Sequence, residues 1–127
     1  MEPLTADDIR ELHEIALERY GGLPGENEPG LIDFMAEKPF QVVFGQEAYP
    51  GLFYKAATYM DGFADHQYFK DGNKRTAYLC GTTFLMLNGY RLQITDDQLY
   101  NTMKGVAEKK ISVDQLTIFL ETHSVPL

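Results

Sequence analysis

Between positions 66 and 76 the chain reads His66-Gln67-Tyr68-Phe69-Lys70-Asp71-Gly72-Asn73-Lys74-Arg75-Thr76, a polar loop that runs into a strongly apolar stretch. That stretch is helical in pattern, so the loop delivers the chain to a helix N-terminus, where unpaired N–H groups and a partial positive charge attract anions. Gly72 has no side chain to hold a ligand away from the backbone. Lys74 and Arg75 fall in the first turn, where bases oppose the helix dipole and stability alone favours acids. A bound anion reverses that penalty. Asp71 stands beside the same point, and one carboxylate next to phosphate oxygens is a usual protein contribution to a Mg²⁺ site. The alternative reading of the same residues is structural: Asp71 caps the helix, Gly72 serves the turn, and Lys74 and Arg75 are solvated.

Capping signals and apolar spacing outline the elements that hold this loop. Thr5 and Asp8 mark the start of a helix over about 5–19, with Ile9, Leu12, Ala16 and Tyr20 at helical spacing. Gly21-Gly22, Pro24-Gly25 and Pro29-Gly30 punctuate the next stretch, and a short helix from Leu31 to Glu37 precedes Pro39. Phe40-Gln41-Val42-Val43-Phe44-Gly45 has no helical period, which predicts an exposed, extended segment able to pair with another peptide. Pro50 suits the first turn of a second long helix that carries Leu52, Phe53, Ala56, Ala57, Met60, Phe63 and Ala64 and ends near Asp65. Residues Asn73 to Leu87 are apolar on nearly every side and stop at Asn88-Gly89, as a central buried helix would. Leu92 and Ile94 alternate with polar residues in a piece too short to support a sheet. Thr95 can cap a helix with Leu99, Met103 and Val106; Ser112 and Gln115, flanked by Ile111 and Leu116, start the last helix through Phe119 and Leu120. The expected fold is all-α, one domain over residues 1–127, with a short extended flap and no substantial sheet.

Length and composition narrow the function classes. The 127 residues are enough for one core, and 44% apolar with 24% charged residues is an ordinary globular balance. One cysteine forms no internal disulfide, and one cysteine with three histidines makes no four-ligand zinc cluster. Cys80, inside the apolar helix, reads as a small buried hydrophobe. No apolar run approaches eighteen residues and the N-terminus is acidic, so a soluble, cytoplasmic protein without a membrane segment is expected. A net charge of −8 argues against direct nucleic-acid binding. Its whole excess lies in residues 1–37, where ten acids face only Arg10 and Arg19; the remainder carries nine of each sign. This reads as a solvated acidic face, with docking of a basic partner as the alternative. His13 and His123, on exposed-looking helix faces, read as structural or solvent-facing.

From Asp71 to Thr76 the sequence resembles the motif of the Fic/Doc family, and its death-on-curing branch more than its adenylylating branch. The resemblance extends over nearly the whole chain. It includes Tyr20-Gly21-Gly22-Leu23-Pro24-Gly25, the Leu31 helix ending at Lys38-Pro39, Phe44-Gly45, Tyr49-Pro50, Lys55-Ala56-Ala57, Phe84-Leu85 with Asn88-Gly89-Tyr90, and the Ile111-Ser112 start of the last helix. It implies that ATP and Mg²⁺ are used, with Asp71 holding the metal or orienting the target. It also implies phosphate contacts from Gly72, Asn73, Lys74 and Arg75, and Phe69 as a buried aromatic anchor. Gln41, Val42, Val43 and Phe44 would form the flap that receives a target segment. Lysine at position 74, where adenylylating members carry glycine, implies phosphoryl transfer, as in the branch that phosphorylates a threonine of elongation factor Tu. No segment resembling the family's inhibitory helix is found, so the implied control is a separate antitoxin chain.

One departure bears directly on the chemistry. The family's catalytic histidine lies two residues before the phenylalanine; here that position is Gln67, and His66 is one residue early. An ungapped match from Tyr59 through Thr76 sets Gln67 at the base position, whereas an inserted residue between His66 and Phe69 would make His66 the base. Glutamine can hydrogen-bond and orient a hydroxyl but takes no proton at neutral pH. Two functions follow as expectations: an ATP-dependent, toxin-like transferase acting on a protein hydroxyl, or a catalytically silent module that binds nucleotide or antitoxin on the same fold.

Overall fold

Three of the six helices begin where a side chain satisfies their first N–H groups. In the computed structural model, which describes residues 1–127, Thr5 precedes α1 (Ala6–Tyr20), Thr95 precedes α5 (Asp96–Ala107) and Ser112 precedes α6 (Val113–His123). Each hydroxyl accepts from the backbone N–H three residues on, and Asp8, Gln98 and Gln115 return the bond. The other helices, α2 (Leu31–Glu37), α3 (Leu52–Asp65) and α4 (Asn73–Leu87), start from Gly30, Gly51 and Gly72 with no side-chain cap. Pro50 therefore lies just outside α3 and not in its first turn.

The core forms where α3 and α4 pack along each other. Ala56, Ala57, Tyr59, Met60 and Phe63 from α3 meet Ala77, Cys80, Phe84 and Leu85 from α4, and Ile9, Met103, Val106, Leu116 and Leu120 close the cluster from α1, α5 and α6. Burial pushes the Cys80 thiol far above its ordinary pKa, so it stays protonated and inert. Tyr59 donates its hydroxyl to the Ala36 carbonyl at 3.1 Å and accepts from the Leu4 N–H, and burial lifts its pKa to about 12. The far end of α4 is less enclosed than its composition predicts, with Met86 and Leu87 about half exposed. No helix is long and apolar enough to cross a membrane.

Two small ribbons accompany the helices. The segment after Gly89, expected to be too short for a sheet, becomes β3 (Tyr90–Leu92) by pairing antiparallel with β4 (Ser124–Pro126), with Arg91 opposite Val125. Partners more than thirty residues apart leave no local signal. The flap is a hairpin of β1 (Val42–Val43) and β2 (Gln46–Glu47), turned by Phe44 and Gly45 at φ +50° and +77°, the geometry of a two-residue hairpin turn. One edge of β1 is thus already paired within the flap. Phe40, expected in this extended segment, instead lies in a 3-10 turn over Lys38–Phe40, half-buried with its ring edge-on to Phe84. Phe44 at the tip is fully exposed.

The hairpin is tied to α3 by Lys55, whose side chain is 1% exposed. Its ammonium donates to Glu47 Oε1 at 2.9 Å and to the Tyr49 carbonyl, and lies 5.4 Å from the Phe40 ring centre. The partners differ in what their loss leaves behind. Without Lys55 the Glu47 carboxylate, more than half exposed, returns to water; without Glu47 a buried ammonium remains with one carbonyl and a ring face. Glu47→Ala is therefore expected to cost about 2 kcal/mol, less than a fully buried pair because water reaches the carboxylate, and Lys55→Met less than about 1 kcal/mol. Urea unfolding checks the order; equal losses, or a greater loss in Lys55→Met, would refute it.

Candidate functional site

The loop from His66 to Gly72 joins α3 to α4 and is held from outside by the loop that follows α1. The Lys70 N–H donates to the Gly25 carbonyl and the Asn27 N–H to the Tyr68 carbonyl, both at 2.9 Å. Asn27 Nδ2 donates to the carbonyls of Gln67 and Phe69 at 2.6 and 3.2 Å. From inside, Asn73 fixes the same loop: its Oδ1 accepts from the Phe69 N–H at 3.0 Å, and its Nδ2 donates to the Phe69 carbonyl at 2.9 Å and to Gln67 Oε1 at 3.2 Å. The Phe69 ring is buried and stacks on Phe63. Asn73, expected from the family resemblance to contact phosphates, thus has its side chain engaged within the loop.

His13 does not lie on an exposed face. It is 5% exposed, stacks on Phe69 with ring centres 3.7 Å apart, and donates its Nε2–H to the Asp71 carbonyl at 2.8 Å. The Asp71 carboxylate is held separately, Oδ2 accepting from the Leu23 N–H at 2.7 Å. Gly22 makes this approach available: a Cβ there would stand 3.0 Å from both Asp71 Cβ and Leu17 Cδ2. Asp71 therefore does not cap α4, and its second carboxylate oxygen accepts no bond within the chain. The N-cap is Gly72, left-handed at φ +79°, and the first backbone bond of α4 is Thr76 N–H to the Gly72 carbonyl. The N–H groups of Asn73, Lys74 and Arg75 precede that bond and have no helical partner. The helices α1, α5 and α6 carry acids in their first turns and α3 carries none, whereas α4 carries Lys74 and Arg75.

These groups open onto a cleft of about 790 Å³ between the loop and the C-terminal half of α5. Gln67, Asp71, Gly72, Asn73, Lys74 and Arg75 all line it, whereas His66 does not. The His66 ring turns to Asp65, 3.8 Å from Oδ2, and lies 5.3 Å from the Tyr68 ring. Burial and the neighbouring Asp65 raise the pKa of Asp61 on the same flank of α3. Tyr20, expected on the apolar stripe of α1, is half exposed and lies against Arg75, with the guanidinium carbon 3.4 Å from its ring centre. On the far wall, Glu108 is paired with Lys110 at 3.1 Å; that bond lowers its pKa, which keeps it anionic at the rim. Among sequence candidates, the flap residues Gln41 to Phe44 are exposed and are not part of the cleft wall.

The arrangement offers donors from one helix mouth, two exposed cations and one carboxylate oriented beside them. It fits a di- or triphosphate with a divalent ion. The carboxylate supplies one protein oxygen, as Mg²⁺ bound through phosphates commonly requires, and no group of three or more His, Cys, Asp or Glu side chains is gathered for a metal bound by protein alone.

The sequence pattern of the Fic/DOC family matches residues 3–85. The chain is 33% identical over 117 residues to a protein named Toxin Doc from Mycolicibacterium smegmatis, covering 91% of this chain and 88% of that protein. It is likewise 33% identical over 117 residues to a protein named Protein kinase doc from Escherichia phage P1, covering 91% and 90%.

Proposed function

From the premise that this chain belongs to the Fic/DOC family, we propose that it is a toxin-like transferase that moves the γ-phosphoryl group of ATP to a protein hydroxyl. The observation that carries this reading is the mouth of α4: uncapped, bearing Lys74 and Arg75, with Asp71 turned aside to the Leu23 N–H. Of the three helices that start from glycine without a side-chain cap, α4 places two bases against its own dipole in the first turn, which stability alone disfavours.

In this mechanism the N–H groups of residues 73–75, Lys74 and Arg75 hold the phosphates and oppose the charge that spreads over the transferred group. When bound, Mg²⁺ neutralises phosphate charge, and Asp71 is the residue that would hold it. The hydroxyl oxygen forms the new bond to phosphorus as the bond to the β-phosphate oxygen breaks, releasing ADP. Its proton passes to solvent, since Gln67 has no basic atom. The flap, with Gln41 to Phe44 exposed, receives the target segment along its free edge. A translation factor such as elongation factor Tu is the proposed target, and a separate antitoxin chain the proposed regulator.

A second reading, a silent nucleotide-binding module, is favoured by one specific observation: Gln67, which has no basic atom, lines the cleft. Incubation with ATP labelled in the α- or γ-phosphate, with and without elongation factor Tu, separates the readings. Label on the factor from γ only supports phosphoryl transfer, label from α only supports nucleotidyl transfer, and none supports the binding module. Binding itself is expected in either case: calorimetric titration with Mg²⁺ and ATP should give measurable heat below millimolar ligand, and its absence in folded protein would remove the nucleotide from both.

A further inference from the structure

The hydrogen bonds around Gln67 fix which end of its amide is engaged within the loop and which is left without a partner. Phe69 sets the orientation. Its N–H must meet an oxygen and its carbonyl must meet a nitrogen, and both are met by the Asn73 side chain, at 3.0 and 2.9 Å. The orientation of the Asn73 amide therefore follows from the backbone alone. Its remaining N–H points to Gln67 at 3.2 Å, so the Gln67 atom facing it is the acceptor Oε1. The Nε2 of Gln67 is the other end, makes no hydrogen bond within the chain, and belongs to a side chain that is exposed and lines the cleft.

We infer that Gln67 serves as a phosphate-binding donor and not as an orienting acceptor for a hydroxyl: its NH₂ group extends the row of donors formed by the N–H groups of residues 73–75. This rests on the proposed nucleotide site and deepens it, assigning to position 67 the terminal phosphate as ligand. An amide NH₂ turned to that phosphate holds the nucleotide without taking a proton.

Substitution and resonance assignment test this together. Gln67→Leu removes the donor at similar size, and Gln67→Glu replaces it with a second acceptor and a negative charge. The Kd for Mg²⁺–ATP is expected to rise about tenfold in Gln67→Leu, the scale of one hydrogen bond to a charged group, and further in Gln67→Glu. In the native chain, the side-chain NH₂ resonances of Gln67 are expected to shift on titration with sodium phosphate and with Mg²⁺–ATP. Unchanged ATP affinity in Gln67→Leu, or Gln67 NH₂ resonances that ignore both ligands, would overturn the inference. A shift with phosphate in a chain that binds no ATP would instead uphold the donor and defeat the nucleotide reading.

Discussion

Replacing Gln67 by histidine is expected to raise the rate of phosphoryl transfer at saturating ATP by about 10²–10⁴, the usual worth of a general base. The geometry behind this is that position 67 already lines the cleft beside Asp71, so an imidazole placed there stands next to the phosphates with a lone pair available at neutral pH. The histidine already present at position 66 has no such access, because its ring is directed at Asp65 and Tyr68. His66→Ala should therefore leave the rate of the Gln67→His chain within about twofold, since no base is removed from the cleft. The measurement is single-turnover transfer from γ-labelled ATP to elongation factor Tu. Loss of activity on His66→Ala, with no gain from Gln67→His, would return the base role to His66.

Arg75→Ala is expected to lower transfer in the Gln67→His chain by about 10²–10³, the effect of removing one charge-stabilising donor from a transition state. One feature singles out Arg75 from the neighbouring Lys74. Its guanidinium carbon lies 3.4 Å from the Tyr20 ring centre, a contact that takes up much of the freedom that a long exposed arm would otherwise lose on binding. Its charge, like that of Lys74, adds to the unpaired N–H groups of α4. Arg75→Lys should recover little, because an ammonium neither stacks in plane nor binds two phosphate oxygens at once. Tyr20→Leu, which frees the arm without removing the charge, should cost about threefold to tenfold. A rate in Arg75→Ala within threefold of its parent would show that the arginine is a bystander.

What could be read from the sequence was set by rules that act over three or four residues. Thr5 with Asp8 and Ser112 with Gln115 state the start of α1 and α6 outright, because a capping box is complete within one turn. The meeting of Asp71, Gly72, Lys74 and Arg75 at one helix mouth was legible for the same reason. What escaped was decided across the fold. His13 stands four residues after Ile9 and three before Ala16, on the buried stripe, but a polar ring there argues for solvent until the Phe69 ring and the Asp71 carbonyl, 58 positions later, supply its partners. Tyr20 fits the stripe of α1 by period, but the helix ends there and the ring turns to Arg75. Lys55 carries a charge that argues for solvent until Glu47 and the Tyr49 carbonyl close over it. The β3–β4 ribbon is invisible in either segment alone. In each case the missing information was a partner's position, not a residue's preference.

The backbone bonds between Gly25 or Asn27 and the loop from Tyr68 to Lys70 have a consequence for the order in which this protein comes into being. During synthesis the loop after α1 emerges before residues 68–70, the partners of its Gly25 and Asn27 backbone groups. The pairing of α3 with α4 needs only a short connection, whereas closing the 42-residue span between Asn27 and Phe69 carries a larger loss of chain entropy. The helical pair can therefore consolidate while the carboxylate of Asp71 still lacks the Leu23 N–H that aims it. The aiming of Asp71 is thus expected to follow the pairing of α3 with α4, a delay written into the connectivity.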